Sequence, residues 1–544
     1  MRKALLIDLF ALEGFDLSLA LGYLKAFVDA DPELQDAWET EIVHHPVETP
    51  VDELAASIMR AEPDLVGFSC FSWNIRAVEG VVGKLSSREK KPFVVLGGVE
   101  VSPDPMGALR RNRNVEAVIF GEGEETFRGL LMALKETGPD LAPREAEKIK
   151  GLAWRDGKSV HANGERPPIQ DLGAVPSPYL EGSFGDRLEG HKRAMVETTR
   201  GCHYRCAYCY ESRGFKEVRA FPLDRAREEL TLLARAGVRE VLFLDTNFNQ
   251  DAGRAKAILD HLESLGARTR YAFELRAETL SPEVIRGVAS LDFFAEIGLQ
   301  TTNPKAIEAV NRVYDPRKFE ANVRSLLEAS LYRPCSFSAG GGVTIDIMVG
   351  LPHDRVPDIM ATFDAVFALA PSKIAVSMTK ILPGTPLYDQ AKKYRYKFDP
   401  DAQYQVQSNR FLSRKDVATL LHFRDAVDFA YNRVHAVRTI GWLAEDLKTK
   451  PSAVFMEMGR QMSKGEKPAS AYTVKDLSEL LASFAESRGS VRVAESSGSK
   501  LTAESLLNVL QKMKEKRRTW WAKLVFGLGR RFLSLVWGLP PLPR

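Results

Sequence analysis

Three cysteines, Cys202, Cys206 and Cys209, lie close together in one short segment of this sequence. The segment reads Glu197-Thr-Thr-Arg-Gly-Cys-His-Tyr-Arg-Cys-Ala-Tyr-Cys-Tyr210. Thiolates spaced in this way can bind one small inorganic group, and thiolate ligands select iron–sulfur clusters, zinc or copper(I). A [4Fe–4S] cluster normally takes four thiolates, one at each iron. The set of three therefore predicts a cluster with one iron open to another ligand.

Two other interpretations account for the same cysteines. A structural zinc site would need a fourth ligand, such as His203, and usually a second pair of cysteines. A disulfide between two of the cysteines would leave the third as a free thiol. We favour the cluster over both, because its open iron requires no fourth protein ligand.

The spacing C-x-x-x-C-x-aromatic-C, on a loop after an extended segment, resembles the signature of the radical S-adenosylmethionine (radical SAM) enzymes. The resemblance implies that Cys202, Cys206 and Cys209 hold a [4Fe–4S] cluster whose open iron chelates the amino and carboxylate groups of S-adenosylmethionine. An electron from the cluster would then cleave this molecule to methionine and a 5′-deoxyadenosyl radical. The resemblance also implies that Tyr208 lies against the adenine.

Only Cys70 and Cys335 lie outside this segment, so the chain cannot build a second cluster from its own cysteines. We expect both to be ordinary thiols and the electron donor to be an external flavodoxin or ferredoxin. Five cysteines in 544 residues also argue against a secreted disulfide framework. The start of the chain, Met1–Ile7, reads as a strand and not as a signal peptide. These features predict a cytoplasmic protein.

The composition is that of a globular protein with several domains. At about 100–200 residues per domain, 544 residues allow three or four domains, and 44% of the residues are hydrophobic. The formal net charge of +3 is nearly balanced. No global charge excess points to nucleic acid, so we expect no nucleic-acid partner.

The N-terminal region alternates short apolar runs with segments of helical periodicity, which predicts a doubly wound (Rossmann-like) parallel α/β sheet. In this architecture ligands bind beyond the carboxyl ends of the strands. The predicted strands are Lys3–Asp8, Trp38–Val43, Leu65–Ser69, Phe93–Gly97 and Val115–Phe120, and the predicted helices are Leu17–Ala30, Val51–Ala61, Trp73–Ser87 and Glu124–Glu136.

Gly97-Gly98 after the fourth strand and Gly121-Glu-Gly-Glu-Glu-Thr-Phe127 after the fifth, directly before a radical SAM core, resemble the cobalamin-binding domain of the cobalamin-dependent radical SAM subfamily. The D-x-H-x-x-G motif that gives cobalt an axial histidine is absent, and Phe10 stands where the histidine would be. A domain that keeps this fold without the cofactor is the alternative. The candidate cobalamin contacts are Phe10, Ser69, Phe71, Gly97, Gly98, Gly121 and Gly123.

From Arg193 onwards, six strand and helix units fit a partial (β/α)₆ barrel, the fold of the radical SAM core. The predicted strands are Arg193–Thr198, Glu240–Leu244, Arg270–Leu275, Phe293–Ile297, Val343–Val349 and Ile374–Lys380. The sequence thus predicts a cobalamin-binding domain (1–140), a linker (141–190), the barrel (191–390), the C-terminal part of the core (391–450) and a mainly helical extension (451–544).

Polar residues follow several predicted barrel strands, and barrel active sites lie at these carboxyl ends. The resemblance implies that Asp245 and Asn247 help to hold the amino group of S-adenosylmethionine. It makes Glu274, Arg276 and Gln300 candidates for its ribose and carboxylate, and the fork of arginine suits a carboxylate. Each of these side chains could instead cap a helix or pair with a neighbour. Glu296 and Asp346 also lie on these strands.

The segment Trp520–Leu539 has Trp521, Leu528 and Phe532 on one helical face and Lys523 and Arg530 on the opposite face. Basic amphipathic helices of this kind lie in membrane interfaces. The charges interrupt the run of about 20 apolar residues that a spanning helix needs. The segment predicts either peripheral contact with the cytoplasmic face of a membrane or packing against protein.

The resemblance as a whole predicts a cobalamin-dependent radical SAM enzyme with [4Fe–4S], S-adenosylmethionine and cobalamin as cofactors. We expect a methyltransferase that acts on an unactivated carbon of an unidentified organic substrate. One alternative is a cobalamin-dependent radical oxidoreductase or cyclase without net methylation. Another is a non-catalytic cobalamin or redox sensor, which would be expected to hold its cluster with four protein ligands.

Overall fold

The computed structural model describes all residues except 12, 13, 15, 87–90, 139, 212–216, 332–341, 400–402, 466 and 488–544. Cys335 and the predicted amphipathic segment Trp520–Leu539 therefore lie outside the described residues. No helix in the described part of the chain is long and apolar enough to cross a membrane.

The strands are short, and most helices span two to four turns. The strands are β1 (Arg2–Phe10), β2 (Trp38–Pro46), β3 (Leu65–Ser69), β4 (Phe93–Gly97), β5 (Ala117–Ile119), β6 (Leu152–Asp156), β7 (Ser159–Ala162), β8 (Arg193–Val196), β9 (Thr199–Arg200), β10 (Arg219–Ala220), β11 (Glu240–Phe243), β12 (Arg270–Leu275), β13 (Phe293–Gln300), β14 (Gly342–Val349), β15 (Lys373–Met378), β16 (Lys397–Phe398) and β17 (Val406–Ser408). The α-helices are α1 (Leu19–Asp29), α2 (Val51–Arg60), α3 (Ile75–Leu85), α4 (Pro105–Arg111), α5 (Glu124–Thr137), α6 (Pro143–Ala146), α7 (Leu223–Arg235), α8 (Ala252–Leu265), α9 (Pro282–Ala289), α10 (Pro304–Ala309), α11 (Pro316–Leu331), α12 (Val356–Leu369), α13 (Pro386–Asp389), α14 (Arg414–Ala426), α15 (Val437–Asp446), α16 (Pro451–Met462) and α17 (Val474–Ser487).

The first sheet has the strand order β2-β1-β3-β4-β5-β6-β7, with parallel pairing from β2 to β5. Leu5 and Ile7 of β1 join a hydrophobic core with α2, α3 and α4. Leu6, which points the opposite way, joins a second core with α1 and α5. Helices therefore cover both faces, and the predicted doubly wound sheet is confirmed.

Two strands of this sheet are not predicted by the sequence. β6 and β7 pair antiparallel beside β5 and lie within residues 141–190, which were expected to be a linker. Buried Trp154 of β6 stacks on His161 of β7 with ring centroids 4.6 Å apart. The helix α4 is likewise absent from the sequence prediction.

The second sheet has six strands in the order β8-β11-β12-β13-β14-β15, which is also their order along the chain. The pairs β8–β11, β11–β12, β12–β13 and β14–β15 are parallel, and a helix follows each strand from β11 to β14. The six predicted strands of a partial barrel are confirmed. Between β8 and β11, β9 and β10 form a separate antiparallel pair.

The chain divides into two compact units. The first comprises residues 1–297, 307–322 and 379–406, and it contains the whole first sheet together with β8 to β12. The second comprises residues 298–306, 323–378 and 407–544. In its core, Phe363 of α12 packs edge-on against Phe423 of α14 and Phe455 of α16, with centroids 5.0 and 5.1 Å apart. The C-terminal region is mainly helical where it is described.

Candidate functional site

The three cysteines lie on the loop that follows β9, and distant parts of the first unit hold this loop by its backbone. The hydroxyl of Thr246 donates to the carbonyl of Gly201 at 3.0 Å. The amide of Ala207 donates to the carbonyl of Val310 at 2.8 Å, and the carbonyl of Ala207 accepts from the amide of Leu387 at 2.8 Å. These bonds hold the loop just before Cys202 and again between Cys206 and Cys209.

The thiols differ in exposure. Cys206 is 7% exposed, while Cys202 and Cys209 are partly exposed. The amide of Cys209 donates to the carbonyl of Cys206 at 3.0 Å, which makes a tight turn between them. Among the described residues, no three side chains of His, Cys, Asp or Glu are arranged to hold a single metal ion. The donor chemistry of three soft thiols on one anchored loop fits an iron–sulfur cluster.

Tyr208, the predicted adenine contact, lies beside the two cysteines that flank it. Its hydroxyl accepts a hydrogen bond of 2.9 Å from Nη1 of Arg312. Burial raises the pKa of Tyr208, the charge of Arg312 lowers it, and Cys206 and Cys209 raise it further, so that it lies above its ordinary value. Burial opposes the charge of Arg312, but Tyr208 and Cys206 raise the pKa of this arginine above its ordinary value. Arg312 is part of no motif and is not predicted from the sequence.

Arg276, a candidate for the carboxylate of S-adenosylmethionine, is already engaged by the protein. Its guanidinium lies over the ring of Tyr204 at 3.6 Å, and Nη2 donates to the carbonyl of Val313. Nε lies 3.5 Å from Oε2 of Glu278, although neither carboxylate oxygen of Glu278 has a hydrogen-bond partner among the described residues. Tyr204 and Tyr208 of the cysteine loop are thus each held by an arginine.

The structure gives the two residues after β11 different surroundings. Buried Asp245 accepts hydrogen bonds from the amide and hydroxyl of Thr198 at 2.9 and 2.7 Å and from the hydroxyl of Thr199 at 2.6 Å. Asp245 thereby braces the segment that leads to the cysteines. Asn247 is 4% exposed, and neither of its amide atoms has a hydrogen-bond partner in the described structure. Asn247 is therefore the better placed of the two to bind a ligand.

Glu274 and Glu296 are directly opposite each other on β12 and β13, and both are exposed. Burial raises the pKa of Glu274 to about 7, followed in size by the charges of Glu296, Glu211 and Asp245. Glu274 is therefore open to solvent and lies close to three other carboxylates, those of Glu296, Glu211 and Asp245. The first unit thus places several carboxylates together at the carboxyl ends of its barrel strands.

Gln300 belongs to the second unit and has a left-handed backbone with φ of 73°. Its Oε1 is buried without a hydrogen-bond partner among the described residues. In the same unit, Asp354 is fully buried and accepts hydrogen bonds from Thr301 at 3.1 Å and Asn303 at 2.9 Å. Burial raises the pKa of Asp354 to about 7. The other candidate, Asp346, lies on β14.

The candidate cobalamin contacts come together at one edge of the first sheet, because β1, β3, β4 and β5 are neighbours there and run parallel. Buried Asn74, which the sequence analysis missed, donates to the carbonyls of Ser69 at 2.9 Å and Leu9 at 3.4 Å. Phe71 stacks on Trp73 with centroids 4.3 Å apart. Trp73 is 45% exposed, so this edge offers a flat aromatic surface to a planar group.

The glycines at this edge serve different purposes. A Cβ on Gly98, whose φ is 103°, would lie 2.6 Å from the carbonyl oxygen of Cys70. The close approach at Gly98 is therefore to protein backbone. Gly121, with φ of 82°, has nothing within 4 Å of such a Cβ and leaves open space. Burial raises the pKa of the Cys70 thiol well above its ordinary value, as expected for an unreactive thiol.

Three family models match successive parts of the chain. Residues 18–131 match the B12 binding domain, and residues 196–366 match the radical SAM superfamily. Residues 392–523 match a family described only as a protein of unknown function, DUF4080. The first two matches contain most of the candidate cobalamin contacts, the three cysteines and the candidates on β11 to β13.

Individual proteins are also similar to this chain. An uncharacterized methyltransferase of Pyrococcus horikoshii is 25% identical over 69% of this chain and 78% of its own length. The cobalamin-dependent radical SAM methyltransferase TokK of Streptomyces tokunonensis is 28% identical over 54% of this chain, but the match spans only 44% of TokK. The structure of the cobalamin-dependent S-adenosylmethionine radical enzyme OxsB covers 96% of this chain and 81% of its own, with a TM-score of 0.62 and 15% identity. At that identity the likeness to OxsB establishes the fold.

Proposed function

Because the chain belongs to the radical SAM enzymes that carry a B12-binding domain, we propose that it is a cobalamin-dependent methyltransferase acting on an unactivated carbon. The observation that carries the proposal is the three-cysteine loop, which lies in the same compact unit as the open edge of the B12-type sheet. We call this edge, which carries Ser69, Phe71, Gly97, Gly98 and Gly121, the cobalamin edge. One cysteine loop and one cobalamin edge would then serve one substrate.

The residues present fit the cofactors that this function requires. Cys202, Cys206 and Cys209 would hold a [4Fe–4S] cluster, with the loop kept rigid by its hydrogen bonds to Val310 and Leu387. The edge of the sheet that carries Phe71, Trp73 and Gly121 would hold cobalamin, with flat aromatic rings and open space for a corrin ring. The sequence offers no histidine at the position of Phe10, so we propose that this loop gives cobalt no imidazole.

When bound, the cluster with S-adenosylmethionine supplies a 5′-deoxyadenosyl radical, and cobalamin supplies the methyl group. The chain's own side chains orient these groups. Asn247 has unpartnered amide atoms for a polar group of S-adenosylmethionine. The carboxylates of Glu274 and Glu296 favour positive charge beside them, such as an amino group or a sulfonium. Arg276 and Arg312 keep the cysteine loop in place by binding Tyr204 and Tyr208.

A radical SAM enzyme needs an electron donor and a substrate. We propose that the donor is a flavodoxin or ferredoxin, because the sequence has too few cysteines for a second cluster that could supply electrons. Cys70 is fully buried. The substrate is an organic molecule. Peripheral contact with the cytoplasmic face of a membrane through Trp520–Leu539 stays a prediction from the sequence.

Anaerobic reconstitution with iron, sulfide and hydroxocobalamin tests this function. We expect about four irons and one cobalamin per chain, and formation of 5′-deoxyadenosine after addition of dithionite and S-adenosylmethionine. S-adenosylhomocysteine among the products would support methyl transfer. Deoxyadenosine without S-adenosylhomocysteine would favour an oxidoreductase or cyclase, and an inert cluster with bound cobalamin would favour a sensor.

A further inference from the structure

Arg200, the last residue of β9, lies two positions before Cys202 and is only 8% exposed. Three of its side-chain nitrogens pair with three different carboxylates. Nη1 lies 3.1 Å from Glu122, Nη2 lies 2.7 Å from Glu124, and Nε lies 2.9 Å from Glu197. Each nitrogen of the guanidinium side chain therefore has a charged partner, and these three partners fix its direction.

A second arginine strengthens the same arrangement. Arg219 of β10 is paired in register with Arg200 of β9. Its Nη2 and Nη1 donate to the two oxygens of Glu122 at 2.8 and 3.1 Å. Glu122 also accepts from the amide of Ile169 at 2.6 Å. Glu122 thus bridges both arginines of the β9–β10 pair.

Two aromatic rings lie next to the guanidinium of Arg200. The guanidinium of Arg200 lies 5.1 Å from the ring centroid of Tyr23 and 5.4 Å from that of Phe221. Tyr23 belongs to α1, a helix that packs on the first sheet, and Phe221 follows β10. Cation–π contacts of this kind favour one orientation of the arginine. We call Arg200, Arg219, Glu122, Glu124 and Glu197 the Arg200 clamp.

The clamp joins the two sequence segments that would hold the two cofactors. Glu122 lies between Gly121 and Gly123, the candidate cobalamin contacts after β5, and Glu124 begins α5. Arg200 lies at the start of the cysteine loop. Replacing a buried ion pair with apolar residues is often neutral for stability. We therefore infer that the role of this network is to set position and direction.

We propose that the Arg200 clamp is a positioning device that sets the separation between the cobalamin edge and the cluster loop. The inference rests on the proposed function, because it requires both cofactors. The residues of the clamp act through the two loops and do not themselves contact the reacting atoms. Loosening the clamp should leave both cofactors bound but allow the distance between them to vary.

Pulsed EPR on the reconstituted full-length protein measures this distance directly, through the dipolar coupling between cob(II)alamin and the dithionite-reduced cluster, and needs no substrate. The variants are Arg200→Lys, which keeps the charge but loses the fork, and Glu124→Gln, which keeps the shape but loses the charge. The matched control is Glu125→Gln, because Glu125 is the next residue of α5 and pairs on the surface with Arg166 at 2.8 Å. Thermal melting checks that each variant is folded.

We expect a shifted or broadened distance distribution in R200K and E124Q and the wild-type distribution in E125Q. If the wild type holds both cofactors and all three variants share its distribution, the inference fails while the proposed function stands. If the wild type takes up no cobalamin or no cluster, the proposed function itself fails and the inference with it. E124Q keeps the test decisive if R200K does not fold.

Discussion

The hydroxyl of Tyr208 accepts a hydrogen bond of 2.9 Å from Nη1 of Arg312, although the two residues lie 104 positions apart in the sequence. Tyr208 stands between Cys206 and Cys209 in the cysteine motif, and Arg312 follows α10. The contact brings a permanent positive charge close to the Cys206 thiol. Arginine is therefore part of the electrostatic surroundings of any cluster held by this loop.

Removing this charge should make the cluster harder to reduce. The added electron makes a reduced cluster more negative, so a nearby cation stabilises the reduced state and raises the potential. We expect a more negative midpoint potential in Arg312→Gln and a potential near that of the wild type in Arg312→Lys. A redox titration followed by EPR measures it. An unchanged potential in R312Q, at wild-type iron content, would contradict this expectation.

The cysteines of the loop should account for all bound iron. We expect Cys206→Ala to lose most of the roughly four irons of a reconstituted cluster, because three thiolates are already one fewer than the usual set. Cys70→Ala is the control, since Cys70 is fully buried elsewhere in the first unit. Iron and sulfide analysis gives the answer. Equal iron in C206A and C70A would rule out the assigned cluster loop.

Two glycines at the cobalamin edge should respond differently to alanine. At Gly98 the new Cβ would meet the Cys70 backbone at 2.6 Å with φ of 103°, so we expect a loss of about 2 kcal/mol or more and weaker cobalamin binding. At Gly121 there is open space, and the left-handed backbone alone should cost about 1 kcal/mol. Urea unfolding of both variants measures the difference. A similar loss at both positions would argue against the clash with Cys70.

Asp354 should make stability depend on pH. Burial raises its pKa from 3.8 to about 7, so the folded protein binds this proton more tightly than the unfolded chain does. The contribution of Asp354 to the free energy of unfolding therefore falls as the pH rises from about 4 to about 7, by at most about 4 kcal/mol, and is level above that range.

Asp354→Asn should remove this part of the pH dependence, because the amide can still accept from Thr301 and Asn303 but carries no titratable proton. Asp224→Asn, at a side chain that is 88% exposed, is the control and should keep the wild-type slope. Denaturant unfolding at a series of pH values compares the three proteins. A wild-type slope in D354N would show that Asp354 is not the responsible group.

The sequence by itself determined the features that repeat locally. Strands such as β1 and β14 carry runs of buried apolar residues, and these runs alternate with amphipathic helices. The parallel strands β1 to β5 of the first sheet and the six strands of the second sheet are therefore predicted from pattern alone. The spacing of the three cysteines is also local, and it predicts the cluster loop. β7 was missed because its residues are mostly exposed and give no apolar period.

The tertiary structure alone decided which side chains meet. Arg200 pairs with Glu124, which lies 76 positions away in the sequence. Asp245, which the sequence predicted to bind a ligand, instead accepts hydrogen bonds from Thr198 and Thr199. Gly98 approaches the backbone of Cys70, which no glycine pattern reveals. The periodicity of buried residues is a local property and can be read from the sequence. The partner of a buried charge depends on how distant segments pack, because packing brings the few compatible groups within hydrogen-bond distance.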